Sequence, residues 1–177
     1  MLIVCEDEHI NMKKIIFFVC GLGLSVGQTA AFAACLSTLK TSAPNSRYEV
    51  QANTSQIKDV QSQLIWQRCA VGQTWNGSHC TGTEKSLTWA QALQEAKAQA
   101  GWRLPNIKEL KSLVEVACYD PAINTSLFIG IAATQGYWTS SSVADDASNA
   151  WQVQFDDGMA TFAAKTESAA ILLVKNP

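Results

Sequence analysis

Cysteine, histidine and clustered acids are the side chains here that could perform chemistry, and their spacing excludes most of it. His79, the only histidine past residue 33, stands in a turn-rich loop without a plausible serine or cysteine partner in its sequence context. Asp156 and Asp157 are adjacent, so on an extended chain their carboxylates diverge instead of flanking one bond as a glycosidase requires. No catalytic residue, and no enzyme, is expected. Cys69 and Cys80 are spaced C-x10-C, without the paired C-x2-C knuckles of a zinc site. Asp145, Asp146 and Asn149 place several oxygens in one loop, but calcium takes six or more. No metal and no cofactor is expected. These three residues remain candidate ligand-binding positions together with Trp75, which lies between Cys69 and Cys80 and is the tryptophan expected to be most exposed.

The redox setting follows from the N-terminal residues. Lys13-Lys14, the apolar run Ile15 to Val26 and Ala31-Phe32-Ala33 have the order of a secretory signal peptide. The run is about a dozen residues, short of the ~20 that span a bilayer, so no retained transmembrane helix is expected. Residues 1–11 carry Glu6, Asp7 and Glu8, the wrong sign for that position, and Met12 is the expected true start. The reading is a leader over 1–33, of which 12–33 is the signal peptide. An alternative uses Ala33-Ala34-Cys35 as a lipoprotein site with Cys35 acylated. Either way the product is exported, to the periplasm, the cell surface or the medium.

Four cysteines follow the leader, and an even count in an exported chain reads as two disulfides with three possible connectivities. Cys69 and Cys80 flank a short turn-rich loop, and their pairing is the easiest to accept. By elimination Cys35 would join Cys118.

Composition narrows the class. The chain of 177 residues is 47% hydrophobic and only 16% charged, which argues against disorder. Setting aside Lys13, Lys14, Glu6, Asp7 and Glu8 leaves 11 basic and 12 acidic residues, a net of −1. A nucleic-acid binder needs a clustered basic excess, and so does a site for sulfated glycans.

The elements that position these residues are short. Residues 34–46 read as an extended lead-in, followed by one domain over 47–177. Arg47–Val50 and Leu64–Trp66 read as strands. Thr88-Trp-Ala-Gln91 is a capping-box pattern opening a helix from about Trp89 to Ala100, with Trp89, Leu93, Ala96 and Ala100 on one face. Asn106-Ile-Lys-Glu109 opens a second helix to about Ala117, its stripe being Leu110, Leu113, Val114 and Ala117. Tyr137–Ser140 reads as a strand. Trp151, Val153 and Phe155 alternate with Gln152 and Gln154, Asp156-Asp157-Gly158 is a hairpin turn, and Ala169–Val174 is a last apolar strand. The fold class is α+β: two short helices followed by antiparallel strands, with most tryptophans in the core.

Seven motifs in order carry a resemblance. They are Trp66-Gln-Arg-Cys69, Gly72-Gln-Thr-Trp75, Trp89-x-x-Ala92, Gly101-Trp-Arg-Leu-Pro105 with Glu109-Leu110, Pro121-Ala-Ile-Asn124, Tyr137-Trp-Thr-Ser-Ser141, and Ala150-Trp-Gln-Val-Gln-Phe155 with Gly158. In this order the chain resembles the Lcl C-terminal-like domain family, named for the Legionella collagen-like adhesin. Ser62-Gln63 stands where that family typically has Thr-Gly. The resemblance implies a C-type-lectin-like fold and surface adhesion, with binding to sulfated glycans as the family's best-known property. Trp66, Trp102, Arg103, Leu104, Pro105, Glu109, Leu110, Trp138, Trp151 and Gly158 belong to the signature and are read as structural, Glu109 as a capping partner and Arg103 as a half-buried donor. The expected function is a non-catalytic domain recognising a glycan or protein at the bacterial cell surface. The alternative is an accessory envelope protein that uses the fold for protein–protein packing. Oligomeric state is left open.

Overall fold

Capping boxes start both α-helices among the described residues. The Thr88 hydroxyl accepts from the Gln91 amide while the Gln91 side chain accepts from the Thr88 amide, and Asn106 and Glu109 make the same exchange. The structure, a computed structural model, describes residues 34–132 and 134–177; the leader expected over 1–33 lies outside them. The boxes open α1 (Trp89–Ala98) and α2 (Ile107–Lys111).

Seven short strands precede α1: β1 (Ala34–Cys35), β2 (Tyr48–Val50), β3 (Gln56–Asp59), β4 (Ile65–Gln67), β5 (Gln73–Trp75), β6 (Cys80–Gly82) and β7 (Leu87–Thr88). Six follow α2: β8 (Cys118–Tyr119), β9 (Gly136–Ser142), β10 (Asn149–Gln154), β11 (Ala160–Ala164), β12 (Ser168–Ala169) and β13 (Val174–Lys175). Pairing between them is antiparallel throughout: β13-β4-β3-β2, β11-β10-β9, β12-β7, β5-β6 and β1-β8. The class is mixed α/β with few helices and mostly antiparallel strands. Strands also precede the helices: β2 and β4 lie at the expected Arg47–Val50 and Leu64–Trp66, while β1, β3, β5, β6 and β7, of two to four residues, are additional to the expected strands.

Cys35 is bonded to Cys118 and Cys69 to Cys80. A sulfur held in a disulfide cannot also carry a lipid thioether, which corrects the alternative of an acylated Cys35. Among the described residues no helix is long and apolar enough to cross a membrane.

Both helices are shorter than their apolar patterns suggest. Helix α1 stops at Ala98, and Ala100 is exposed. Its buried residues are Ala92 and Ala96, with Trp89 and Leu93 only partly covered. Helix α2 stops at Lys111 although Leu110, Leu113, Val114 and Ala117 are all buried. The reason lies in Glu115, which is 4% exposed and takes the amides of Ser42 (3.0 Å), Ala43 (2.8 Å) and Ala117 (3.0 Å). Those bonds tie the lead-in to this stretch, while Val114 bridges Ile123 as extended chain. Helical geometry cannot satisfy both.

Strand β10 has both faces covered. Val153 and Phe155 join one core cluster, with Trp66, Leu110 and Tyr137, whereas Ala150 joins a second around Trp138 and Leu104. Gln152, expected to point outward, is therefore buried at 7% exposure, beside a register shift between Ala150 and Gln152. Gln63 adopts φ of +63°, a left-handed conformation uncommon for a residue with a side chain.

The expected last strand is not one strand. Residues 170–174 form a fully buried extended segment whose side chains alternate between the two clusters: Ala170, Leu172 and Val174 in one, Ile171 and Leu173 in the other. Burial on both faces explains the unbroken apolar run. Its backbone partners change along its length, from Gly136 and Trp138 through Val71 and Gln67 to Arg103.

Gly158 ends the β10–β11 turn with φ of +75°, and a Cβ there would sit 2.4 Å from Val114 Cγ1. Gly158→Ala is expected to cost about 2–5 kcal/mol, the sum of a left-handed backbone penalty and overpacking. A urea titration checks it: the midpoint falls while the m-value stays constant.

Candidate functional site

The β5–β6 hairpin builds one wall of an open groove. The Asn76 side-chain oxygen accepts the amides of Ser78 (2.9 Å) and His79 (3.0 Å), and Gly77 supplies φ of +103°. The Cys69–Cys80 bond fastens this hairpin to the chain leaving β4. Trp75 at the end of β5 is half-buried. Its indole Nε1 donates to Thr54 Oγ1 at 3.2 Å, and the Arg68 guanidinium lies 3.7 Å from its ring centroid. Arg68 is itself buried, donating to the Leu127 carbonyl (2.9 Å) and the Thr54 carbonyl (3.1 Å). Burial pushes the Arg68 pKa down, yet a guanidinium stays charged. The indole is thus clamped on one face and at its nitrogen.

The groove has a volume of about 680 Å³, within the roughly 300–1,000 Å³ of small-ligand sites. Trp75 and Trp102 line it, together with the amide side chains of Asn53, Gln56, Gln67, Gln73 and Gln99. Gln67 Nε2 donates to Gln99 Oε1 at 2.9 Å, linking β4 to the end of α1. Gln73 Nε2 donates to the Gly130 carbonyl at 3.2 Å, while its Oε1 is buried without a donor. Lys85 and Glu95 also line the groove and pair with each other at 3.0 Å. Lys175 Nζ stands 4.8 Å from the Trp102 ring.

The other positions singled out in the sequence lie elsewhere. Asp145 and Asp146 occupy the β9–β10 loop and Asn149 begins β10, and none of them lines the groove. Asp146 accepts from the Ser148 hydroxyl and amide and from the Asn149 amide group. The Ser148 bonds, then Asn149 and nearby Lys165, hold its carboxyl below the usual range. Its oxygens thus close a turn. Among the described residues no group of three or more His, Cys, Asp or Glu side chains is placed to hold a metal ion. His79 does have a serine neighbour, Ser78 Oγ at 2.9 Å from Nδ1, but both sit in the exposed turn bonded to Asn76.

Arg103 and Glu109 form a two-pronged ion pair, with Nη1 to Oε2 at 2.7 Å and Nη2 to Oε1 at 2.9 Å, while Glu109 also caps α2. Burial raises the Glu109 pKa, but Arg103 and the Asn106 amide outweigh it and the net shift is downward. The Arg103 backbone bridges Val174, so the pair locks α2 onto the C-terminal segment.

Only Trp66 and Trp138 are fully buried among the tryptophans. Trp75, Trp89, Trp102 and Trp151 are half-buried, which corrects the expectation that most are core. Three of the four carry a cation on the ring, Arg68, Lys165 and Lys175 respectively for Trp75, Trp89 and Trp102. Nothing local in the sequence marks Arg68 or the glutamines of the groove, because a guanidinium or amide lining a cavity and one facing solvent look alike there.

The family model for the Lcl C-terminal domain matches residues 55–175. That span contains nearly all of the groove lining, including both its tryptophans. No curated protein matches the chain.

Proposed function

Since the chain belongs to the Lcl C-terminal domain family, we propose that it is an exported, non-catalytic binding domain of C-type-lectin-like fold. It recognises a glycan or protein ligand at the bacterial cell surface, and the ligand sits in the groove beside Trp75 and Trp102. The observation that carries this reading is that two partly exposed indoles and five amide side chains converge on one open groove. Export through a leader over 1–33 accords with two disulfides, which form and persist in oxidising compartments. Binding needs no metal in this reading, because the acidic loop residues are engaged with their own turn.

The test is binding of the oxidised chain to arrays of glycans and envelope proteins, with and without EDTA. Binding is expected to survive EDTA. Trp75→Ala and Trp102→Ala are each expected to weaken it about 30-fold, the loss typical of a buried aromatic anchor. Full binding by both variants, at unchanged melting temperature, would place the ligand elsewhere.

A further inference from the structure

We infer that the groove selects an uncharged saccharide, a step that rests on the reading of the groove as the ligand site. Its lining carries one cation and one anion, Lys85 and Glu95, and these neutralise each other at 3.0 Å. Of the cations near the indoles, Arg68 is buried against the Trp75 ring and bonded to two carbonyls, and Lys175, over the Trp102 ring, is not among the lining residues. A sulfate or uronate entering here meets no unpaired lysine or arginine among the lining residues.

The polar groups that do line the groove are amides, which both donate and accept. A saccharide hydroxyl also does both, whereas an oxyanion only accepts. The two indoles offer apolar faces of the kind that cover the C–H face of a pyranose ring. Trp75 is fixed for this by Arg68 and Thr54, so little side-chain freedom is lost on binding.

The experiment follows tryptophan fluorescence and calorimetry of the oxidised chain. The probes are cello-, chito-, malto- and manno-tetraose on one side and a heparin tetrasaccharide on the other. At least one uncharged tetraose is expected to bind, with Kd changing less than about two-fold between 50 and 500 mM NaCl, since uncharged contacts are not screened. Trp75→Ala should weaken that binding about ten-fold or more. Gln99→Ala should weaken it several-fold, and is read at unchanged melting temperature because Gln99 Oε1 also accepts from Gln67. Heparin binding that is lost in Trp75→Ala and collapses with salt, with no uncharged tetraose bound, would keep the groove and overturn the ligand class. No Trp75-dependent response to any probe would overturn the groove reading itself.

Discussion

Replacing Cys35 and Cys118 together by serine is expected to lower the unfolding free energy by about 4.5 kcal/mol, because their bond closes a long loop in the unfolded chain. The two cysteines are separated by 83 residues, against 11 for Cys69 and Cys80. Loop-closure entropy grows with the logarithm of loop length, so the shorter bond contributes only about 2.8 kcal/mol on the same basis. Domains of this size are stable by about 5–15 kcal/mol, so the long-range bond is a third or more of the total. The native side agrees in direction. Strand β1 is two residues paired with β8, and the described lead-in behind it is attached through Glu115 and Asn124 among others. Urea unfolding of the two double variants checks the ranking. The midpoint should fall further for Cys35→Ser/Cys118→Ser, with a rise in m as the unfolded chain expands. A smaller loss than in Cys69→Ser/Cys80→Ser would show that the N-terminal segment is not fastened in solution as described.

The second large effect is expected at Asp59. Its side chain is fully buried and receives Arg47 Nε at 2.9 Å, Arg47 Nη2, Ser62 Oγ at 2.7 Å and the Gln61 amide at 2.9 Å. Arg47, itself nearly buried, also donates to the carbonyls of Ser42 and Ser112, so the pair joins the lead-in, β3 and the end of α2. Asp59→Asn keeps the shape and removes the charge, leaving a buried guanidinium without its counterion. Breaking one side of such a pair costs about 3–5 kcal/mol. Burial alone would raise the Asp59 pKa, but the bonds from Arg47, Ser62 and Gln61 together outweigh it and hold the carboxyl below its ordinary value. Glu115 behaves likewise: burial raises its pKa, and the amides of Ser42, Ala43 and Ala117 more than reverse it.

The sign for pH follows. A depressed folded pKa contributes stability in full above the unfolded carboxylate range, and that contribution drains away as pH falls through the folded value. The wild-type protein should therefore lose stability progressively below about pH 4. Asp59→Asn should start lower and show a shallower acid limb, because one depressed carboxylate no longer titrates. Parallel acid limbs in the two proteins would refute the role given to Asp59.

The sequence announced its local signals and concealed its long-range ones. Thr88/Gln91 and Asn106/Glu109 mark helix starts because a capping box is complete within four residues, and Asp156-Asp157-Gly158 marks a turn for the same reason. Helix ends were harder. The apolar stripe Leu110, Leu113, Val114 and Ala117 is genuinely buried, yet it continues past the helix because Glu115 collects amides from residues 42 and 43, far away in sequence. Of the strands of two to four residues ahead of α1, only β2 and β4 lie where the sequence pattern reads as strand; the others show no alternation to read. The groove was only half visible: Trp75 carried a signal through its place between two cysteines, whereas Trp102, Gln73 and Gln99 are brought beside it by tertiary structure alone.

The buried segment 170–174 has a consequence for how the protein is made. It joins two core clusters and bonds to residues of β4, β9 and the chain beside Arg103, all of which precede it in sequence. A chain emerging from the ribosome can form its capping boxes and its short hairpins at once, but neither core can close until those last residues are free. Until then both apolar clusters stay open, so the segment sets the moment at which the two halves of the core close together rather than one after the other.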